Sequence, residues 1–342
     1  MAKRNIIVIG ASAGGVYVLK DLVAALPADF GAAIFVVLHV SPHSPSYLPE
    51  ILAHAGKLTV SHPIDGELVR PGHIYVAPPD HHMLVEYDQV VVKKGPKENR
   101  FRPSIDALFR SAAYTYGPRV IGIVLTGLLD DGTSGMWSVK RLGGLTIVQE
   151  PDEAMYSSMP DSVLNNVEVD YRVSVAQMAT LLTELIQETV ADKSDLLPEE
   201  QELMEAEVNI AAQDSAFEQG IIDLGELTPL TCPECSGALV SIKEGKLIRY
   251  RCHTGHAFTA NTLLAETTKV VEESFWKAIR SLEETVILLE QSGKQFAEGG
   301  NMEAAEQFLS KAQETRKRAQ LAHDFAFRQE QLSKESVLLP DK

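Results

Sequence analysis

Apolar and polar positions follow two different rhythms along this chain. Between residues 5 and 190, short apolar runs alternate with helical stretches. Ile6–Ile9, Ala33–Leu38 and Val120–Leu125 are rich in β-branched residues and lack strict alternation, the pattern of strands buried on both faces. A glycine-rich turn follows Ile9, and Val16–Leu26 then runs at helical spacing until Pro27. Repeated strand–helix units predict an α/β domain with a mainly parallel sheet. Ile74–Ala77 and Met83–Val92 read as a hairpin or further strands, and Phe101–Tyr114 and Ser174–Val190 as helices. From Asn261 the rhythm changes, with no proline until Pro340. Leu264, Val271, Phe275, Ala278, Leu282 and Leu289 recur at three/four spacing, Gly299-Gly300 interrupts, and Met302, Ala305, Phe308, Leu309, Ala312 and Phe325 resume. This pattern predicts an antiparallel helical hairpin.

Composition narrows the classes. The 342 residues carry 47 acidic and 31 basic side chains, a net charge of −16. Residues 191–230 hold 11 acidic residues and one basic, so ten of the sixteen negative charges lie there. That segment reads as a solvated acidic linker, with a short helix over Glu199–Asn209. Net acidity argues against nucleic acid as the main partner, because phosphate binding needs a basic face. No apolar run is long enough for membrane insertion, and Ile6–Ile9 is too short for a signal-peptide core. Three cysteines without a signal peptide point to a reducing cytoplasm.

Gly10-Ala-Ser-Ala-Gly-Gly15 joins the first strand to the first helix. Small residues around Ser12 permit a sharp turn that exposes the serine oxygen, and the amide of Ala13 then faces an anion site at the helix start. A nucleophile elbow, a phosphate loop and a helix N-cap all fit this segment taken alone. A serine nucleophile needs a base, and the base needs an acid to orient it. His39 ends the second strand, and Asp131 follows the Val120–Leu125 strand through a short turn. The carboxyl ends of parallel strands share one edge, so Ser12, His39 and Asp131 are expected to converge there. Asp130 is the rival acid. His43, His73, His81 and His82 are looser candidates for the base, with His81-His82 expected in a surface turn.

Six ordered segments then carry a resemblance: Ile7-Val-Ile-Gly-Ala-Ser-Ala-Gly-Gly15, Leu38-His-Val-Ser-Pro42, Arg102-Pro-Ser-Ile-Asp106, Leu125-Thr-Gly127 with Asp131-Gly132, Gly144-Leu-Thr-Ile-Val-Gln149 and Ser158-Met-Pro160. Residues 4–190 resemble the catalytic domain of CheB-type protein-glutamate methylesterases of bacterial chemotaxis. The resemblance implies a serine hydrolase on a Rossmann-like parallel α/β fold that needs no catalytic cofactor. Its expected substrates are glutamate methyl esters, and certain glutamines, on chemoreceptor signalling helices. Ser12 matches the family nucleophile, His39 the general base and Asp131 the orienting acid. Arg102 matches a motif residue that could steer an acidic receptor surface or form a structural ion pair.

Two departures shape further expectations. The family's Gly-Met-Gly-x-Asp-Gly turn reads Gly127-Leu-Leu-Asp-Asp-Gly132 here. A leucine where glycine permits unusual backbone angles is expected to shift Asp131 or a nearby amide. Family members typically carry an N-terminal receiver domain, whereas the first strand here begins at Asn5, so a switch other than phosphorylation in cis is expected.

Cys232-Pro-Glu-Cys235 and Cys252-His-Thr-Gly-His256 flank two short apolar strands joined at Glu244-Gly245. This spacing resembles a zinc ribbon, with Cys232, Cys235, Cys252 and His256 as a closed structural site and His253 as the alternative fourth ligand. Lys243, Lys246, Arg249 and Arg251 are expected on a solvated face. The expected organisation is a catalytic domain (1–190), acidic linker (191–230), zinc-ribbon-like module (231–260) and helical hairpin tail (261–342). The tail is expected to be a docking element for chemotaxis signalling proteins or an oligomerisation element, with packing against the catalytic domain as the alternative. A linker lying over the active-site edge, with Glu199, Glu200, Glu202, Glu205 and Glu207 repelling substrate, is a further expectation. The rival to the enzyme is a signalling scaffold that keeps the esterase fold but little activity.

Overall fold

The computed structural model describes residues 2–330 apart from 192, 194, 195 and 214, together with 332, 336 and 337. Seven parallel strands form the main sheet: β1 (Ile6–Ala11), β2 (Ala33–Leu38), β3 (Thr59–Ser61), β4 (His73–Val76), β5 (Val120–Val124), β6 (Leu145–Gln149) and β7 (Tyr171–Val173). Their order across the sheet is β7-β6-β5-β1-β2-β4-β3. The chain crosses the sheet through α1 (Gly15–Ala25), α2 (Leu48–Ala55), α3 (Ile105–Tyr116), α4 (Thr133–Arg141), α5 (Ser158–Asn166) and α6 (Val175–Leu185).

The period of two along a strand explains the continuous apolar runs. On β1, Ile6 and Val8 enter a core with Leu108 and Phe109 of α3 and Val139 of α4. Ile7 and Ile9 enter the opposite core with Leu19 and Leu22 of α1 and Leu182 of α6. Both faces are therefore covered, as the Rossmann-like expectation requires. The Met83–Val92 segment is a hairpin of His82–Glu86 and Gln89–Lys93. Its two turn residues, Tyr87 and Asp88, both take positive φ, as a tight two-residue hairpin turn demands. The last helix of this sheet ends at Leu185, and Thr189–Val190 instead pairs with Ala2–Lys3.

The ribbon is a four-stranded antiparallel sheet of β8 (Glu226–Thr231), β9 (Ala238–Glu244), β10 (Leu247–Cys252) and β11 (Ala257–Thr259). It forms one compact unit with everything from the first strand to Thr262. Between the main sheet and the ribbon, Pro198–Ala211 forms α7, packed on α3.

The expected helix is present as α7, but the solvated-linker expectation fails at Glu207, and the charged ribbon face fails at Arg249 and Arg251 while Lys243 and Lys246 are exposed as expected. Glu207, Arg249 and Arg251 are each at most 1% exposed. Arg251 pairs with Glu98 (2.7 Å) and Glu207 (3.0 Å), and Arg249 with Glu244 (2.5 Å) and Glu207. Arg110 on α3 completes the group by pairing with Glu98 (3.1 Å) and Glu207 (3.2 Å). Three arginines thus meet three glutamates, which is why the charges tolerate burial. Burial opposes ionisation of Glu207, yet Arg110, Arg249 and Arg251 overcome it and hold its carboxyl down at about 2. Glu207 therefore fastens the ribbon and is not available to repel a substrate.

The second unit, from Leu263 onward, is the expected helical hairpin. It consists of α8 (Ala260–Glu298, whose first three residues belong to the first unit) and α9 (Met302–Arg328). Phe296 meets Phe308, Glu290 meets Arg316, and Phe275 meets Phe325, the ordering of an antiparallel pair. Among the described residues no helix is long and apolar enough to cross a membrane.

Candidate active site

Three neighbouring strands deliver the three candidate residues to one edge. Ser12 follows β1, His39 follows β2 on one side, and Asp131 lies in the turn after β5 on the other. Ser12 is pinned by its N–H on Thr126 O (3.0 Å), and Gly15 N–H closes the turn onto Ser12 O (2.9 Å). Gly14 has φ of +79°, a backbone only glycine adopts freely, so the elbow turns directly into α1. A Cβ on Gly127 would stand 2.9 Å from Ser12 Cβ and 2.0 Å from Met159 Sδ, so only glycine lets the β5 loop lie against the serine.

Ser12 Oγ lies 3.1 Å from His39 Nδ1, and His39 Nε2 lies 2.8 Å from Asp131 Oδ2. The imidazole thus bridges hydroxyl and carboxylate. Phe101 stacks on it at 3.6 Å between ring centroids and 8° between planes, which fixes the ring's orientation. The carboxylate is 1% exposed and fully engaged. Its Oδ2 also accepts the N–H of Ile105 (2.7 Å), and its Oδ1 accepts from Asn99 Nδ2 (3.0 Å), Ser104 Oγ (3.0 Å) and the Asp106 N–H (3.3 Å). Two of these donors are the first amides of α3, so Asp131 sits at a helix N-terminus that favours negative charge. Burial raises the carboxyl's pKa, but the bond to His39 and those from Asn99 and Ile105 outweigh it and leave it below the ordinary range. Asp106, beside it, goes the other way. Burial and the Asp131 charge push it well above the carboxylate range.

The other candidates fall elsewhere. It is Asp131, not Asp130, that bonds the His39 ring, and Asp130 Oδ1 accepts from Thr259 Oγ1 and Thr262 Oγ1, both at 2.8 Å. Arg102 takes the structural alternative, donating to Asp80 Oδ1 (2.6 and 2.9 Å) and Gly95 O (2.6 Å). His82 is fully buried rather than in a surface turn, with Nε2 on Pro96 O and Nδ1 accepting the Ser104 N–H. His73 is 8% exposed and bonds Ser61, His81 bonds Pro79 O, and His43 is exposed. Leu129 takes the glycine-like backbone, φ +63°, so the Gly-to-Leu departure leaves Asp131 in contact with His39. Sequence reasoning missed Asn99, Phe101, Ser104 and Asp106. The Arg102–Asp106 motif flagged their segment, but its serine and aspartate, rather than its arginine, reach the acid.

At the ribbon's knuckle, Cys232, Cys235, Cys252 and His256 place their ligand atoms within 4.8 Å of one another. Cys232 Sγ–His256 Nδ1 is 3.8 Å, and Cys235–Cys252 and Cys252–His256 are each 3.7 Å. A tetrahedral zinc with bonds of about 2.3 Å to sulfur spaces its ligands about 3.8 Å apart, so donor type and spacing both fit such an ion. His253 is exposed and packs across Gly237. It stands outside this group.

Comparisons with known proteins give the chain's family and fold. The family model described as CheB methylesterase matches residues 7–182. A protein of Leptospira interrogans is 36% identical over 188 residues, which are 55% of this chain and 97% of that protein. The protein-glutamate methylesterase/protein-glutamine glutaminase 2 of Methanosarcina mazei is 34% identical over 54% of this chain, and the chain spans 52% of that relative's length. The crystal structure of the Thermotoga maritima CheB methylesterase catalytic domain superposes with a TM-score of 0.52 at 35% identity. It covers 54% of this chain and all of that domain. The family match stops before α7 and the ribbon.

Proposed function

The chain belongs to the CheB methylesterase family, and we propose that it hydrolyses glutamate methyl esters on chemoreceptor signalling helices, with deamidation of receptor glutamines as the allied reaction. The observation that carries this reading is the continuous relay from Ser12 Oγ through His39 to the buried, ionised Asp131. His39 Nδ1 takes the serine proton as Oγ attacks the ester carbonyl, while the Nε2–H held by Asp131 keeps the accepting nitrogen turned toward Ser12. The imidazolium formed is stabilised by the Asp131 charge and returns its proton to the departing methanol. Ala13 N–H, directly after the nucleophile and two residues ahead of α1, is the oxyanion donor; such a donor contributes about 3 kcal/mol in related chemistry. Water deprotonated by His39 then releases the free glutamate. A carboxamide enters the same acyl-enzyme with ammonia as leaving group. The intact relay favours this enzyme over a scaffold that keeps only the fold.

The site needs no cofactor for these steps. In the ribbon, Cys232, Cys235, Cys252 and His256 would hold a zinc ion whose four positions are all protein ligands, a structural role. The three thiols are unpaired, which suits a cytoplasmic setting. The tail's exposed Leu288, Leu321 and Phe327 suit docking to a signalling partner.

Methanol release from methylated receptor tests the proposal. Wild type should turn over and Ser12→Ala should fall to background, whereas equal rates would remove the enzyme reading. Metal analysis of the purified full chain should give about one zinc per chain, and folded, zinc-free protein refutes the metal assignment.

A further inference from the structure

The ribbon lies beyond the family match, yet it reaches the triad acid. Asn99 divides its two side-chain N–H groups between Asp131 (3.0 Å) and Asp106 (2.8 Å). Its Oδ1 accepts the backbone N–H of Thr259 on β11 (2.9 Å), and its own N–H donates to Ala257 O (2.8 Å). The Thr259 amide settles which way the carboxamide points. A flipped Asn99 would set its oxygen against the ionised Asp131 and its NH2 against an N–H donor.

The ribbon also grips the residues beside Asn99 and Asp131. Glu98 is held by Arg251 (2.7 Å), and Lys97 O accepts the Ala257 N–H (3.2 Å). Asp130 is held by the hydroxyls of Thr259 and Thr262. Asn99 and Arg100 both take positive φ, +47° and +67°, a backbone that persists only where its surroundings enforce it. Ala257, which clasps Asn99, directly follows His256 of the thiol–imidazole cluster.

We propose that β11 is a positioning element of the hydrolase centre: through Asn99 and Thr259 the ribbon holds Asp131 in line with His39, so full catalytic power in this chain requires a folded ribbon. The inference rests on the Ser12–His39–Asp131 reading. Asn99 and Thr259 touch no substrate in this account. They act through the acid.

The test uses the full chain and two readouts. One is the rate at which a fluorophosphonate labels Ser12, which reads the triad whatever the natural ester is. The other is kcat and KM on methylated receptor. Asn99→Ala should slow labelling and kcat about 100-fold with KM within about twofold, the loss expected when a catalytic group is misplaced rather than removed. Cys232→Ser, which breaks the knuckle at a residue that bonds no member of the triad, should slow labelling about 10-fold. If that variant fails to fold, Thr259→Val decides. It keeps the backbone amide but removes the hydroxyl that holds the buried Asp130, so it should melt a few degrees lower, stay folded at the assay temperature, and label several-fold more slowly. Labelling by Asn99→Ala, and by Cys232→Ser or Thr259→Val, within twofold of wild type overturns the proposal. A wild-type chain that labels but releases no methanol defeats the methylesterase reading alone, and the variants' labelling rates still decide this one. A wild-type chain that does not label defeats both.

Discussion

Ser12 and Asp131 stand at opposite ends of one hydrogen-bonded relay, yet the chain supports them by different means. The serine end is local. A strand, a glycine-rich turn and a helix within residues 6–25 fix it, with outside ties from the Thr126-Gly127 loop. The acid end is assembled from afar: a turn after β5, the 98–106 segment, the N-terminus of α3 and the ribbon's last strand all meet there. A nucleophile needs only exposure and a following amide, which a sharp turn supplies. A carboxylate kept ionised in a dry interior needs several donors, and no single turn can provide five. Hence the acid end is where added structure can gain a hold on catalysis.

The largest effect expected is at the acid itself. Asp131→Asn keeps the shape but removes the charge and reverses the hydrogen bond to His39, so kcat should fall about 10⁴-fold with KM little changed. The same residue sets a pH expectation. Because its folded pKa is depressed, Asp131 stays ionised above about pH 4, and its protonation adds no acid limb to kcat/KM in that range. A loss of more than tenfold in Asp131→Asn that vanished at alkaline pH would contradict the orienting role.

Next in size is the fastening of the ribbon. Glu207 has its folded pKa lowered to about 2, against an ordinary value near 4.3. Its stabilisation is therefore fully present above about pH 4.3 and is lost as pH falls toward 2, a contribution on the order of 3 kcal/mol. Trp137 packs on Gly245 at the β9–β10 turn and reports on docking. In a Trp276→Phe background its emission should hold steady down to about pH 4 and change below it. Glu207→Gln should shift that transition to higher pH and lower the melting temperature, because it leaves buried arginines undercompensated. An unchanged transition would mean the ion cluster does not hold the ribbon.

The two ends also differ in how far the sequence discloses them. Apolar runs located β1, β2 and β5, and the rule that parallel strands share a carboxyl edge brought Ser12, His39 and Asp131 together. The hairpin tail was legible from its three/four spacing for the same reason, that local period reports local structure. The ribbon's docking was not. On β10, Leu247, Arg249 and Arg251 point inward while Ile248 points out, so the buried face carries the charges. Reading polarity alone assigns such arginines to solvent. Apart from Glu244, five residues from Arg249 across the hairpin, their partners Glu207 and Glu98 lie 42 to 153 residues away in sequence, and only the tertiary fold pairs them. Asn99 was missed likewise, since a lone asparagine in a loop carries no periodic signal.

The smallest expected effect tests whether the acid end bears strain that the serine end avoids. Gly14 takes its positive φ at no steric cost, whereas Leu129 takes φ +63° with a branched side chain, two residues before Asp131. A left-handed non-glycine residue costs about 1–2 kcal/mol. Leu129→Gly removes that cost but gives the unfolded chain more freedom, about 0.5–1 kcal/mol in the opposite sense. The net should be a stabilisation of up to about 1 kcal/mol, read as a rise in the denaturant midpoint at unchanged slope. Because Asp131 already bonds His39 with leucine in place, turnover should stay within about twofold. A destabilised Leu129→Gly would show instead that the half-buried leucine side chain contributes more by packing than its backbone costs. A large gain in turnover would show that the strained turn holds the acid slightly out of line.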